Sequence, residues 1–516
     1  MNDFIVLNKL LKYGLFPEKL EGIFHSESFG SLFYNDLVKN KCKLFFISKS
    51  IYGKKTFSPV TYKITRHNNF PRIFSIPHPL SYCNLCKLIY ENWTDIEINF
   101  VSKDYLQTSF IRPKINKRKD RLTSFDSYEQ PPNKKHIILN KQFEKKFIAI
   151  TDISSFFSSI YTHSIPWALI GKDQAKYEWK NKINQDSWYN KIDIACRVMQ
   201  DYESKGIPIG PDTSLIISEL ILSKVDSKLS QFDFVRYVDD YKCYCKTHEE
   251  AENFFVKLSC ELEKFNLSLN KSKTNIISLP HSIDDYWVEQ LRDNADWDLF
   301  DTKKNQNRII SYLDRASILF KENPSASAIR YAVRVVINKP FKNDINSFLL
   351  IVRYYLNLCY LYPYVIDFCD QFLLIGFKLF HDYSEIIKKM FEESLNKILS
   401  EHIKYNRSDV IAWILYISIK HKLELESIED ITNEIISNDD CIPSLLCFLY
   451  RKAHSQDNSE FQKLFSSKED SSEWWLFIYE YGRLMNATFK DRFYEMMRQN
   501  NVSFLSSKLD LKFGFH

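Results

Sequence analysis

The run FVRYVDDYKCYC, residues 234–245, places two adjacent carboxylates, Asp239 and Asp240, at the centre of an apolar and aromatic stretch. An extended segment of that composition normally excludes neighbouring acids, because like charges repel and burying either one is costly. Something cationic must hold them. A strand-turn-strand hairpin that offers both carboxylates at its tip to a divalent metal meets this constraint with hard oxygen ligands suited to Mg²⁺. A solvated Asp-Asp turn is the alternative for such a pair taken alone.

Upstream, residues 147–161 read FIAITDISSFFSSIY, a buried strand from Phe147 to Ile153 interrupted by Asp152 and running into a small-residue turn. A carboxylate near the end of such a strand needs the same cation as the Asp239-Asp240 tip, so two strands can share one metal site. The following YTHSIPW has the grammar of a helix start, with Ser164 as N-cap and Pro166 in the first turn, which makes His163 structural rather than a catalytic base. Between the two acidic segments lies GIPIGPDTS, residues 206–214. Its glycines and prolines shape a rigid loop, and Asp212, Thr213 and Ser214 offer caps for the apolar helix that follows.

Acid strand, Gly-Pro loop with helix, then Asp-Asp hairpin is the order of motifs A, B and C of reverse transcriptases. IYTHSIPW, GIPIGPDTS and RYVDDY resemble more closely the bacterial abortive-infection reverse transcriptases of the AbiK type, with retron enzymes as more distant relatives. Downstream, LSLNKSKT (267–274) resembles motif D, and PRIFSIPHPLSY (71–82) and SFIRPKINKRKDR (109–121) resemble fingers segments.

The resemblance implies that Asp152 and Asp239 are metal ligands, with Asp240 beside them and the Ile153 carbonyl as a backbone ligand for Mg²⁺. It implies attack of a hydroxyl on an α-phosphate with pyrophosphate leaving. Phe157 falls at the family's aromatic steric gate against a ribose 2′-hydroxyl, which implies deoxynucleoside triphosphates as substrates; a core phenylalanine is the alternative. Gly210, Lys273, Arg112 and Lys114 are the further nucleotide-binding candidates. Where template-directed retroviral enzymes carry Gln-Gly in motif B, this chain has Ile209-Gly210.

By the same resemblance, synthesis is template-independent and primed from a tyrosine, leaving DNA product attached to the protein. The enzyme then acts in phage defence as a closed homo-oligomer, a trimer or hexamer. Among thirty tyrosines, Tyr34 and Tyr52 in the N-terminal polar stretches and Tyr128 in the basic loop are the priming candidates. Two other readings use the same residues: a conventional RNA-templated reverse transcriptase, or a helical binding scaffold with a vestigial polymerase core.

At 516 residues the chain is long enough for more than one domain, and its net charge of +5 does not by itself demand a nucleic-acid partner. The distribution says more. From Arg112 to Lys146, eleven Lys or Arg face only Asp120, Asp126, Glu129 and Glu144, a balance suited to triphosphate or a phosphodiester backbone, and equally to a solvated loop around Ser124 to Lys135. The eleven cysteines are scattered and read as reduced, buried thiols; Cys83-x2-Cys86 lacks a second half at zinc-site spacing. The N-terminus does not read as a secretory signal, and charged residues interrupt the most apolar stretch, Phe348 to Phe380. The expectation is a cytoplasmic protein with no membrane partner.

Beyond about Pro280 the chain shows helical periodicity. Ile387, Met390, Phe391, Leu395 and Ile398 form one stripe, Val410, Trp413, Ile414 and Ile417 a second, and Trp474, Phe477, Ile478, Tyr481 and Met485 a third. Short polar breaks between helices suggest an α-solenoid, and WILY at Trp413 faintly echoes WLFIY at Trp475. The expected fold is α+β: a right-hand polymerase core of fingers and palm over residues 1–280, then an all-α array over 281–516. The resemblance implies that this array is HEAT-like and replaces the thumb.

Overall fold

The run Phe147–Asp152 forms strand β3, and its register explains why one acid is tolerated at its end. β3 pairs antiparallel with β5 (Asp240–Cys245) from Phe147 opposite Cys245 to Asp152 opposite Asp240, so both acids lie at the same end of the ladder. β4 (Asp233–Tyr237) flanks β5 and β6 (Asn275–Ser278) flanks β3, giving the order β4-β5-β3-β6. The computed structural model describes residues 3–38, 55–66, 70–99, 108–111, 113, 121–122, 132–282, 285–293, 302–324, 327–338, 341, 344–426, 428–507 and 509.

Side chains alternate across a strand, and directly paired residues share a face. One face of the sheet carries Phe234, Arg236, Tyr241, Cys243 and Cys245, all buried. It is covered by the almost wholly buried helix Asp212–Asp226 and by the helix His248–Glu263, whose Phe254 meets the rings of Phe234 and Tyr241 at 6.1 and 6.5 Å. The other face carries Ile148, Val235 and Tyr244, which cluster with Ile138 of the helix Pro132–Gln142. Asp152 and Asp240 continue that second face beyond the apolar cluster.

The chain divides into two units. The first comprises Met1–Val60, Ser75–Ile283 and Thr488–Phe504. Besides the sheet it contains the N-terminal helices Asp3–Tyr13 and Glu27–Val38, onto which the 488–504 segment folds back. There, Ser28 Oγ donates to the Ser503 carbonyl at 2.8 Å, and the Phe29 and Phe504 rings lie 5.7 Å apart.

The second unit comprises Thr61–Phe74, Asp284–Ala487 and Leu505–His516. Its first segment belongs to a two-stranded ribbon, β1 (Val60–Ile64) with β2 (Arg72–Ile76). Thr65, just past β1, is pinned within this unit by Asp409, which accepts from the Thr65 amide at 2.9 Å and from its hydroxyl at 2.8 Å. The three helices Ser408–His421, Cys441–Ala453 and Trp475–Leu484 pack in succession and start 33 and then 34 residues apart. Ser408 donates to the Asp440 carboxylate, tying the start of one of these helices to the start of the next.

The first two apolar stripes are buried except for half-buried Trp413. The third departs at Met485, which lies past the end of its helix and is 44% exposed. Trp413 is the sixth residue of its helix and Trp475 the first, so the WILY/WLFIY echo is out of phase with the spacing of the helix starts. No described helix is long and apolar enough to cross a membrane.

Candidate active site

The tip between β4 and β5 is the residue pair Val238-Asp239, with Val238 in the left-handed region at φ +57°. The tip is fastened to the adjoining strand by the Ile153 amide, which donates to the Asp239 carbonyl at 3.2 Å. The backbone thus brings the three acids expected at a metal site, Asp152, Asp239 and Asp240, to the same end of the sheet. Asp152 is buried, Asp239 half-buried and Asp240 exposed.

Lys273 reaches this place from a separate segment. The 267–274 loop docks along the end of β3: the Asn270 amide donates to the Asp152 carbonyl at 2.9 Å, the Ser154 amide to the Ser268 carbonyl at 2.8 Å, and the Thr151 and Thr274 hydroxyls meet at 2.7 Å. That docking brings the Lys273 ammonium into contact with Asp152 Oδ2. Asp152 Oδ1 is buried and receives no hydrogen bond.

No three His, Cys, Asp or Glu side chains among the described residues are drawn together at metal-ligand spacing. The donor chemistry nonetheless suits a hard divalent cation: carboxylates from two adjoining strand ends, one oxygen of Asp152 in contact with an ammonium and the other with no protein donor. A cation bound here would compete with Lys273 for the same carboxylate.

Phe157 lies in the one-turn helix Phe156–Ser159, half-buried, with its ring 5.2 Å from that of Phe156. Its carbonyl accepts from the Ile207 amide at 2.9 Å, and the Ile160 carbonyl accepts from the Gly206 amide at 2.7 Å, so the turn after β3 and the Gly-Pro loop are laced together by backbone. Gly206 has φ +88° and Gly210 φ +126°, backbone that L side chains rarely adopt. The Ser75 amide donates to the Ile209 carbonyl at 2.9 Å, which brings the β2 end of the 71–82 segment to the same loop.

Two of the expected caps do other work. Ser164 begins its helix, and its hydroxyl donates to the Phe265 carbonyl at 3.3 Å instead of capping. Asp212 is the first residue of the Asp212–Asp226 helix, and its carboxylate takes the Arg121 guanidinium, whose Nη1 also donates to the Phe16 carbonyl at 3.0 Å and to Glu21 at 2.8 Å. The His163 ring nitrogen meets Asp193 at 2.6 Å.

Tyr34 lies in the helix Glu27–Val38, half-buried, with its ring edge-on to Phe4 at 6.4 Å. Arg112, Lys114, Tyr52 and Tyr128 fall outside the described residues.

Beneath the hairpin lies a buried ionic network that the motif reading does not reach. Arg236, fully buried on β4, meets Glu219 at 2.7 Å and Asp226 at 2.8 Å, while Ser109 donates to Glu219 and Tyr241 to Asp226. The signal is in the sequence: Glu219 and Asp226, seven residues apart on a helix rich in Leu and Ile, require a cation if buried, and the FVRYV strand holds one. Burial pushes the Asp226 carboxyl above its ordinary range, and Arg236 opposes that rise.

No curated protein matches the chain. Among solved structures, apo telomerase from Candida tropicalis is similar at 11% identity over 73% of this chain and 72% of that one, with a TM-score of 0.34, too low to carry an argument. Residues 101–325 match the family of reverse transcriptases (RNA-dependent DNA polymerases), a span that includes Asp152, Phe157, Gly210, Asp239, Asp240 and Lys273. Those residues therefore carry a reverse transcriptase domain.

Proposed function

We propose that the protein is a Mg²⁺-dependent DNA polymerase of the reverse transcriptase type, acting on deoxynucleoside triphosphates. The observation that carries this reading is the placement of Asp152 opposite Asp240 at the end of the β3–β5 ladder, with Lys273 beside them, inside the matched domain. Mg²⁺ held there would stabilise charge on the entering and leaving oxygens of nucleotidyl transfer. Asp152, Asp239 and Asp240 are the residues that would hold it, with the Ile153 carbonyl as a backbone ligand. Lys273, displaced from Asp152, would turn its ammonium to the triphosphate. Phe157, backed by Phe156 and anchored through Ile207, would stand against a 2′-hydroxyl, with Gly210 in the loop on which the base pair or base rests. Arg112 and Lys114 complete the triphosphate contacts.

The finer reading is synthesis without template, primed from a tyrosine and serving phage defence by abortive infection in the cytoplasm. It is supported by the motif resemblance and by Ile209-Gly210 in place of Gln-Gly. In this reading residues 1–280 are the fingers and palm, and residues 281–516 a HEAT-like array in the thumb's place, which the recurrence of helix starts every 33 to 34 residues supports. Exposed apolar side chains in the second unit, including Leu361, Leu374 and Ile386, support assembly into a trimer or hexamer. Tyr34, Tyr52 and Tyr128 are the priming candidates. A second reading, RNA-templated synthesis, is favoured by the family match itself.

One experiment separates them. Purified protein is incubated with each dNTP and Mg²⁺, with and without RNA template and primer, and the product is treated with protease. Product without template, shifted in mobility by protease, supports the finer reading; product whose sequence follows added RNA supports the second. No incorporation under any condition removes the polymerase reading and leaves the scaffold.

A further inference from the structure

Arg236 has five N–H donors, and each has an acceptor. Nε donates to Asp226 Oδ2 at 3.0 Å and Nη2 to the same oxygen at 2.8 Å; Nη1 and Nη2 donate to the two Glu219 oxygens at 2.7 and 3.2 Å. The remaining Nη1 donor goes to the Val238 carbonyl at 2.8 Å. The two acids are held in turn, Glu219 by Ser109 at 2.9 Å and Asp226 by Tyr241 at 3.0 Å. A planar fork saturated in this way has one orientation, and that orientation aims one N–H at the hairpin tip.

The residue so held is the one that needs holding. Val238 sits at φ +57°, a conformation that a β-branched residue adopts only when its surroundings over-determine it. Left alone, this backbone relaxes toward the β region and swings the next two residues with it. Those residues are Asp239 and Asp240.

We propose that Arg236 is a positioning residue for the polymerisation centre: its guanidinium, oriented by Glu219 and Asp226, clamps the Val238 carbonyl and so fixes the left-handed turn that holds Asp239 next to Ile153 and Asp240 opposite Asp152. The inference rests on the polymerase reading above. Lysine cannot replace arginine here, because one ammonium with three donors cannot serve both acids and also reach the carbonyl in the fork's geometry. The defect it leaves is one of turn geometry, which glycine at 238 corrects by adopting φ above zero without strain.

The test measures dNTP incorporation against Mg²⁺ concentration for the native chain, Arg236→Lys, Val238→Gly and the double variant, with thermal melts of each. Arg236→Lys is expected to lose about tenfold to 100-fold in kcat, as misplacement of a reacting group by about an ångström does, and to need more Mg²⁺ for half-maximal rate. Adding Val238→Gly to Arg236→Lys is expected to recover much of the rate and the Mg²⁺ dependence while leaving the lowered melting temperature where it was. A merely structural arginine would move rate and melting together, with no rescue.

If Arg236→Lys does not fold, the isosteric Glu219→Gln, which releases one side of the fork, is measured instead, and the same rescue by Val238→Gly is required. An active native enzyme whose arginine variant keeps its rate and Mg²⁺ dependence, or is not rescued, overturns the clamp and leaves the polymerase reading standing. An inactive native enzyme removes that reading first, and the clamp with it.

Discussion

The ammonium of Lys273 lies against Asp152, with the lysine side chain 60% exposed and the carboxylate only 7%. An exposed cation thus faces a buried anion at the place where the β3 and β5 acids meet. In the proposed function this is a counter-ion arrangement that Mg²⁺ would displace, the exposed lysine having solvent to turn to.

Lys273→Ala should therefore lower the Mg²⁺ concentration needed for half-maximal incorporation, because a competitor for Asp152 is gone. It should also raise the KM for dNTP, because the ammonium no longer meets the triphosphate. Steady-state titrations of both, run crosswise, check the pair of shifts; a Mg²⁺ requirement that stays unchanged would mean the contact has no bearing on the metal, and one that rises would mean Lys273 assists binding instead of competing.

Asp152→Asn and Asp239→Asn should each reduce incorporation by about 10³-fold or more, as expected when a ligand for a charge-stabilising metal is lost. The fold should persist, since neutralising one acid also removes local repulsion. Circular dichroism melts alongside radiolabelled dNTP incorporation check both halves, and full activity in either variant would end the polymerase reading.

Phe157→Ala should raise the ratio of rNTP to dNTP incorporation, with dNTP use mildly reduced. The ring is half-buried against Phe156, and the backbone link to Ile207 survives truncation, so stability should fall only modestly. Competition between the two sugars at fixed total nucleotide is the measurement; an unchanged ratio would make Phe157 a packing residue only.

The second unit should be more stable at mildly acidic pH than at neutral pH through two buried acids. Burial pushes Asp409 and Asp440 each up to about 6, against the hydrogen bonds from Thr65 and Ser408 that lower them. A carboxyl whose folded value is raised contributes stability in full below its ordinary value near 4 and loses it as pH rises through about 6. The loss is up to about 3 kcal/mol for each group. Asp409→Asn keeps partners for both Thr65 groups and does not titrate, so its melting temperature relative to the native chain should climb from pH 4 to pH 7. A difference that stays flat across that range would refute the assignment.

Much of the site was legible because its logic is local. Adjacent acids in an apolar run fit a hairpin turn, and the β4–β5 hairpin places them there; an acid closing a buried strand needs a cation, and the structure puts the Lys273 ammonium against Asp152. Helical stripes report burial in the same way, since a period of 3.6 residues is a property of one segment. Met485 failed because its helix ends one residue earlier, a boundary that periodicity does not mark.

Partners distant in the chain were another matter. Asp212 looked like a cap and is instead the counter-ion of Arg121, 91 residues away; Asp409 holds Thr65 across 344 residues; Lys273 finds Asp152 across 121. A buried charge announces in sequence that it must be neutralised, because leaving it unpaired in a low-dielectric interior is prohibitive. Which opposite charge does so depends on where the backbone carries each strand and loop. The amino-acid sequence by itself determined the acid positions, the order of their elements and the helical character of the second half, through composition and period. Only the tertiary structure decided that the Arg236 guanidinium reaches the Val238 carbonyl beneath Asp239, because that contact is made by packing a helix against a sheet.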